Sequence, residues 1–486
     1  MKTFFLLQLL FSAFFISAQN PLYYHTRFGG ESDDVGNCII QTLNGGFAVV
    51  GQTNSFWALQ NDIYLSRTNN LAQPIWQKNI GGSLSDIGKS LVELSDSSFV
   101  IAGYTNSYGN GGYDAYIVKT DKNGNVIWQK TFGGSDWDFA YSINKTSDGN
   151  LIICGTTYSF GHGGKDGFIL KMDYAGNIIW SKIYGGLKDD YLKEIIQTSD
   201  GGFIAAGTTM SYGDSLGDIW VTKFNSNGDS TWFITKGGIK KDVGNSIVQD
   251  INGNYLVAGG SESFTNGMED AYFFKLSNSN SFIWDRFEGF PNKNEESFSI
   301  KNSTSNHGKM IICYSTKEID GFGIDAKTLL LDGNGYYIDG GRVGSVGNDE
   351  LFCIANTNDK GYILVGYTNG FNNQVSSQTD IFVLKFDSIM NPGSFFVGTK
   401  NILPPNDIFI KTYPNPFDDY LTINIGGNQI IKSIEILDIN GIVEYSQVGI
   451  KENIINIRAI KFPEGIYFLK VVTNSNTYIN KLFCRN

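Results

Sequence analysis

The chain of 486 residues has only five cysteines, nine prolines and three histidines, and each scarcity removes a class of function. Cys38, Cys154, Cys313, Cys353 and Cys484 form an odd, scattered set with no C-x-x-C pair, which argues against a disulfide scaffold and against a zinc site. His25, His162 and His307 fall in different units of the chain, which gives a Ser-His-Asp hydrolase no support from them. The glycine runs "GNGG" and "GHGG" lack the lysine and following helix of a phosphate loop and read as turns. Lys and Arg total 37 against 48 Asp and Glu, a formal net charge of −11. Such a surface repels nucleic-acid backbones and anionic membranes, leaving cations and neutral polymers as partners. After the first twenty residues no apolar run approaches the roughly 18 needed to span a bilayer, so no transmembrane segment is expected.

What is abundant is glycine, 58 residues, and its spacing sets the organisation. The N-terminal "MKTFFLLQLLFSAFFISAQN" has one lysine, an apolar run and the small pair Ser17-Ala18, the pattern of a secretory signal over residues 1–18. Gln19 in place of a cysteine argues against a lipid anchor. Gly-Gly pairs then begin at Gly29, Gly81, Gly133, Gly185 and Gly237, each 52 residues after the last, with degenerate continuations at Gly289 and Gly340. Every copy repeats an acid, an apolar strand, a turn, a second strand ending in glycine, a Gly/Ser/Asn loop, a second acid and a third strand, then an "NG"-type turn and a fourth strand carrying Trp. A period near fifty with four antiparallel strands predicts blades, seven of them, so residues 19–397 are expected to form a seven-bladed β-propeller. The seventh copy lacks its own fourth strand. Tyr24 lies five residues before Gly29, as Trp128 does before Gly133, so the N-terminal strand is expected to complete the last blade and close the ring.

The period ends near Gly398, and residues 398–406 read as a linker. Residues 407–486 alternate short strands with turns, as in a small Ig-like β-sandwich, so the chain is all-β throughout. The stretches "YPNPFDDYLTINI", "ILDINGIVEY", "PEGIYFLKV" and "NKLF", in that order, resemble the type IX secretion C-terminal sorting domain of Bacteroidetes, with Pro414, Asn415, Pro416, Gly441, Gly465, Tyr467 and Lys481 at the motif positions. The resemblance implies the type IX machinery as a partner and export across the outer membrane. It also implies removal of the domain, with the protein either released or attached to surface lipopolysaccharide.

Two sets of acids recur with the period. One is Asp34, Asp86, Asp138, Asp190, Asp242 and Asp349, with Asn294 in the remaining copy; the other is Asp62, Asp114, Asp166, Asp218, Asp270, Asp325 and Asp380. Both belong at the top face of the ring, and a catalytic pair is needed once rather than seven times, so each is expected to accept backbone N–H bonds in its own turn. The competing reading is a bound Ca²⁺, but no loop has D-x-D-x-D-G spacing, and no other metal or cofactor is expected. The loops before the second acid each present an aromatic among Asn, Ser and Asp: Trp57 beside Phe56, then Tyr108, Phe160, Tyr212 and Phe264. Aromatic faces stack on sugars while amides and carboxylates bond hydroxyls, although a ring recurring in register also suits packing on the neighbouring blade. No acid or nucleophile stands out in one blade alone, which favours a secreted or surface binding or adhesion protein for a glycan or protein over the alternative, a polysaccharide hydrolase or lyase. Finally, Cys38 and Cys353 occupy one inner-strand position in the first and seventh copies, so they become neighbours only if the ring closes.

Overall fold

The computed structural model describes residues 24–387 apart from 57, 265–267, 290–292, 304–307, 318–322, 345–346 and 372–373, and residues 410–484 apart from 414–419, 426–429, 439–441, 459–461, 464 and 474–476. The chain divides into two compact units, Met1–Thr399 and Lys400–Asn486.

In the first unit the periodic turns separate seven four-stranded antiparallel sheets. The third is typical, with strands Asp138–Lys145, Leu151–Thr157, Asp166–Met172 and Ile178–Tyr184 in spatial order. Each first strand touches the first strands of both neighbouring sheets, and the seventh touches the first, so these strands ring a central channel. This is a closed seven-bladed propeller. In the third blade the second strand is buried at every position because a blade packs on each of its faces, whereas the fourth strand is exposed or half-buried throughout at the rim. The core is correspondingly divided among the junctions, as where Val100 and Ala102 of the second blade meet Ile143 and Ile153 of the third.

Closure follows from the N-terminal strand Tyr24–Phe28, which pairs antiparallel with Gln374–Phe386 as the outer strand of the seventh blade. The junction it seals joins Ile39 and Val49 of the first blade to Val365 and Val383 of the seventh, with Phe28 in the same cluster.

Each first strand carries a β-bulge near its third residue, so Tyr141, Lys89 and Lys193 have no partner residue in the second strand. The glycine that ends the apolar run in six of the blades, and Tyr314 in the sixth blade, lies across from this kink. A methyl group on Gly103 would stand 1.8 Å from the Ile87 carbonyl oxygen, which explains why that run stops at glycine.

Two register assignments change in the sixth blade. Its first strand starts with Glu295, which pairs with Thr316 as Asp138 pairs with Thr157, so Glu295 rather than Asn294 supplies the acid. Gly340 lies inside the strand Tyr337–Val343, and Gly344 takes the junction position instead. Insertions had displaced the 52-residue count there.

The second unit is a sandwich. One sheet orders Ile410–Tyr413, Tyr420–Ile425 and Ile454–Arg458, and the other orders Val443–Val448, Ile431–Leu437, Gly465–Thr473 and Thr477–Cys484. Leu421, Ile423 and Ile457 of one face Ile434, Leu469 and Leu482 of the other in a single core. Tyr467 is buried there and donates its hydroxyl to the Pro463 carbonyl at 2.9 Å. Gly465 and Lys481 lie in the paired strands, whereas Pro414, Asn415, Pro416 and Gly441 are outside the described residues, as are residues 1–18 and 398–406.

Candidate functional site

The strand register puts the start of the first strand, the end of the second and the start of the third at one end of each blade, through the pairs Asp138–Thr157 and Thr157–Asp166. Both acid sets therefore stand at the same face, and the geometry gives each a repeated task. Asp138 is fully buried; its Oδ2 accepts from the Gly134 amide at 2.9 Å and from the Ser159 hydroxyl at 2.7 Å. Asp34, Asp86, Asp190 and Asp242 make the same pair of bonds. In the second set Asp114, Asp166 and Asp218 accept the amides of Asn110, His162 and Asp214. Asp62 instead accepts from the Asn79 side chain, and Asp380 pairs with Arg27 at 3.3 Å.

The two sets meet over the first glycine of each pair. A methyl on Gly133 would sit 2.2 Å from Asp114 Oδ1 and 2.5 Å from Asp138 Oδ2, and Gly29, Gly81, Gly185 and Gly237 are flanked in the same way. Glycine is required because two carboxylates from adjacent blades close over its Cα. Burial raises the pKa of Asp62, Asp114, Asp166 and Asp218, and the neighbouring blade's acid raises it further. Among the described residues no group of three or more His, Cys, Asp or Glu side chains is arranged to hold a metal ion.

The recurring aromatics are engaged in packing. Tyr108 lies on Tyr116 and donates to the Gly81 carbonyl, Tyr212 donates to Gly185, and Phe160 and Phe264 lie against Phe168's neighbour Phe132 and against Tyr272. Phe56, on Tyr64, holds this position in the first blade, and Trp57 is outside the described residues. His25 packs edge-on against Phe382, the exposed His162 donates only its backbone amide to Asp166, and His307 is outside the described residues.

Departures from the repeat gather at the mouth of the channel. Tyr104, Tyr113, Trp137, Phe139, Tyr141 and Tyr158, from the second and third blades, form a continuous aromatic cluster with centroid spacings from 4.9 to 6.2 Å. Trp137 is 49% exposed at its edge. Three lysines border it. Lys193 stands 3.8 Å from the centre of the Tyr141 ring, Lys165 5.6 Å from Tyr158, and Lys89 5.9 Å from Tyr104. Burial and then the charge of Lys193 push Lys89 down to about 8.

The fifth, sixth and seventh blades supply Glu269, Glu296 and Glu350 at the same end. Burial, and then Glu296, push Glu269 up to about 7 against the pull of Lys241, 3.7 Å away. Glu350 is raised by burial and accepts the Tyr367 hydroxyl at 2.9 Å. The expectation that no acid stands out in one blade is therefore corrected. Glu296 and Glu350 occupy a position that is Val35, Ile87, Phe139, Tyr191 or Val243 elsewhere, and aligning the copies for what they share hid it. The signal was present as "DWDFAY" and "EE" at the starts of the third and sixth blades.

The fold is that of a β-propeller followed by a separate small sandwich. Residues 411–485 match the family described as the secretion system C-terminal sorting domain, so the chain carries a type IX sorting tail, which implies export to a secreted or outer-surface location. Regulatory protein FlaEY of Caulobacter vibrioides is 23% identical over 225 residues, covering 39% of this chain. The chain spans 23% of that curated relative's length. Among solved structures, the Neurospora crassa Pan2 WD40 domain matches with a TM-score of 0.45 at 9% identity, over 74% of this chain and 95% of its own. Sqt1 from Chaetomium thermophilum matches with a TM-score of 0.42 at 13% identity, over 72% of this chain and 85% of its own.

Proposed function

We propose that the propeller is a non-enzymatic binding module, carried outside the cell by its sorting tail, whose channel mouth takes a neutral glycan. One observation carries this reading: the six-ring cluster around half-exposed Trp137 offers flat apolar faces at the rim of a polar channel, the arrangement on which sugar rings stack. The chain's net charge of −11 disfavours anionic polymers. A glycan-array screen of the full chain, with and without Ca²⁺, tests it. Binding that falls at least about tenfold in Trp137→Ala is expected, and an array without hits, or hits unaffected by the substitution, would overturn it.

Glu269 favours a second reading, a polysaccharide hydrolase or lyase, because a carboxyl pushed up to about 7 beside Glu296 is suited to general acid chemistry. Reducing-sugar release that disappears in Glu269→Gln would replace the binding reading. Glycan binding without turnover would retain it.

A further inference from the structure

The groove between the third and fourth blades opens at the outer rim into a cavity of about 330 Å³, walled by Tyr212, Trp220 and Phe233 and floored by Thr222. That volume lies at the lower end of the roughly 300–1,000 Å³ usual for ligand pockets, enough for one ring.

Neighbouring junctions fill this space. Between the second and third blades, Phe132 packs against Phe160 and Phe168 at 5.9 and 5.1 Å. Between the fourth and fifth, Lys236 lies 5.1 Å from the Phe264 ring and 4.9 Å from Phe282. Tyr184 holds the equivalent position here and lines the cavity without filling it, its ring tilted against Phe224 at 4.8 Å and its hydroxyl donated to the Gly228 carbonyl.

The polar lining departs from the repeat as well. At the position of Trp220 the first, second and fifth blades have Tyr64, Tyr116 and Tyr272, whose hydroxyls bond Gln77, Gln129 and Asp285 of their outer strands. In the fourth blade that outer-strand partner is Phe233, and Trp220 Nε1 and Thr222 Oγ1 are buried without a hydrogen bond. A buried donor without a partner is destabilising, a cost relieved by any ligand that brings an acceptor.

We propose that this junction is a second binding site, taking a single neutral pyranose whose ring stacks on Tyr212 and whose hydroxyls pair with Trp220 Nε1 and Thr222 Oγ1. It rests on the glycan reading of the mouth only for the ligand's chemical class.

The test titrates the full chain with methyl α-mannopyranoside, methyl β-glucopyranoside and methyl β-galactopyranoside, read by saturation-transfer NMR. Phe233→Gln gives Trp220 Nε1 the partner that the tyrosines have elsewhere and takes away an apolar wall. At least one pyranoside is expected to bind, to weaken about tenfold or more in Phe233→Gln with an unchanged or higher melting temperature, and to be unaffected in Trp137→Ala. Tyr212→Ala is the second variant and should also lose binding. Binding that survives both Phe233→Gln and Tyr212→Ala overturns the proposal, and so does the absence of binding by all three sugars. Loss in Trp137→Ala alone leaves the mouth reading standing and removes this one.

Discussion

Exposing the exported chain to a disulfide oxidant should couple Cys38 to Cys353 and lock the ring. The two sulfurs lie 3.4 Å apart, on the first strands of the first and seventh blades, and both residues are half-buried, within reach of a small oxidant. The Cys38 thiol beside it and the Lys301 ammonium hold Cys353 below the usual thiol range, which favours the attacking thiolate. Bond formation requires the sulfurs to close by roughly 1.4 Å to a bond of about 2.05 Å. Two protons and two electrons leave the pair through a mixed disulfide, and the oxidant's disulfide is reduced to two glutathione thiols. The cross-linked residues are 315 positions apart, and the chain-entropy relation assigns such a loop roughly 5–6 kcal/mol of stabilisation, with measured values more often about 2–5. The assay compares urea unfolding of the chain equilibrated with oxidised glutathione and with a reducing agent, using Cys38→Ser to isolate the pair and intact mass to count the bond. A midpoint that rises on oxidation and fails to rise in Cys38→Ser is expected. Complete alkylation of both thiols after oxidation, or equal midpoints, would refute the reasoning.

Other perturbations follow from the junctions. Gly133→Ala places a methyl against two carboxylate oxygens and should cost about 1–3 kcal/mol by denaturant unfolding, with Gly149→Ala, whose surroundings are open but whose φ is +77°, as the comparison for backbone strain alone. Deleting residues 22–28 removes the outer strand of the seventh blade and should lower the melting temperature of the whole propeller by circular dichroism; an unchanged melt would contradict closure. Removing residues from Asp407 onward should leave the protein inside the envelope of its native host, and normal recovery in the medium or at the surface would exclude a sorting role. Burial raises the folded pKa of Asp34, Asp62, Asp114, Asp166, Asp218, Asp270 and Asp380, so the folded state holds the extra protons and stability should rise as pH falls from neutral toward about 4. Below that value it should fall, because Lys171 and Lys223, against the push of burial, hold Asp148 and Asp200 down to about 2. A melting temperature that climbs steadily from pH 4 to 8 would contradict this balance.

The blade count, the strand order and the closing strand were legible because each is dictated by a feature repeated seven times. The Gly-Gly pair, the flanking acids and the hairpin turns recur at 52 residues, and a repeated steric demand leaves a repeated residue. The sixth blade was harder to read because insertions displaced the count, so the acid was placed at Asn294 instead of Glu295 and the junction glycine at Gly340 instead of Gly344. The bonding of each carboxylate was only partly legible, since the Ser159 hydroxyl that reaches Asp138 is 21 residues away and meets it only once the sheet has formed. The mouth was least legible. Tyr104, Tyr113 and Trp137 come from separate loops and strands that no local pattern connects, and they converge because two adjacent blade tops point at one axis.

That contrast has a physical origin which also says where chemistry belongs in this chain. Each junction must pack a cluster of apolar side chains and satisfy the bulged first strand, and five of the seven also bury two carboxylates over a glycine, so nearly the same demands recur around a closed ring. A residue bound by them cannot change in one blade without destabilising that junction. The positions facing the channel mouth and the outer end of each groove bear no such demand: the site of Phe139 accepts Val35, Tyr191 or Glu350, and that of Tyr184 accepts Phe132 or Lys236. Binding specificity requires unequal neighbours, which a symmetric ring can supply only at those positions. The aromatic cluster of the second and third blades, the glutamates of the fifth to seventh, and the open groove beside Trp220 all lie there. Exchanging Glu350 for valine should therefore leave the melting temperature nearly unchanged while altering ligand selection, whereas exchanging Asp349 beside it for alanine should destabilise the blade. Equal losses of stability from both substitutions would show that the mouth, too, is held by the repeat.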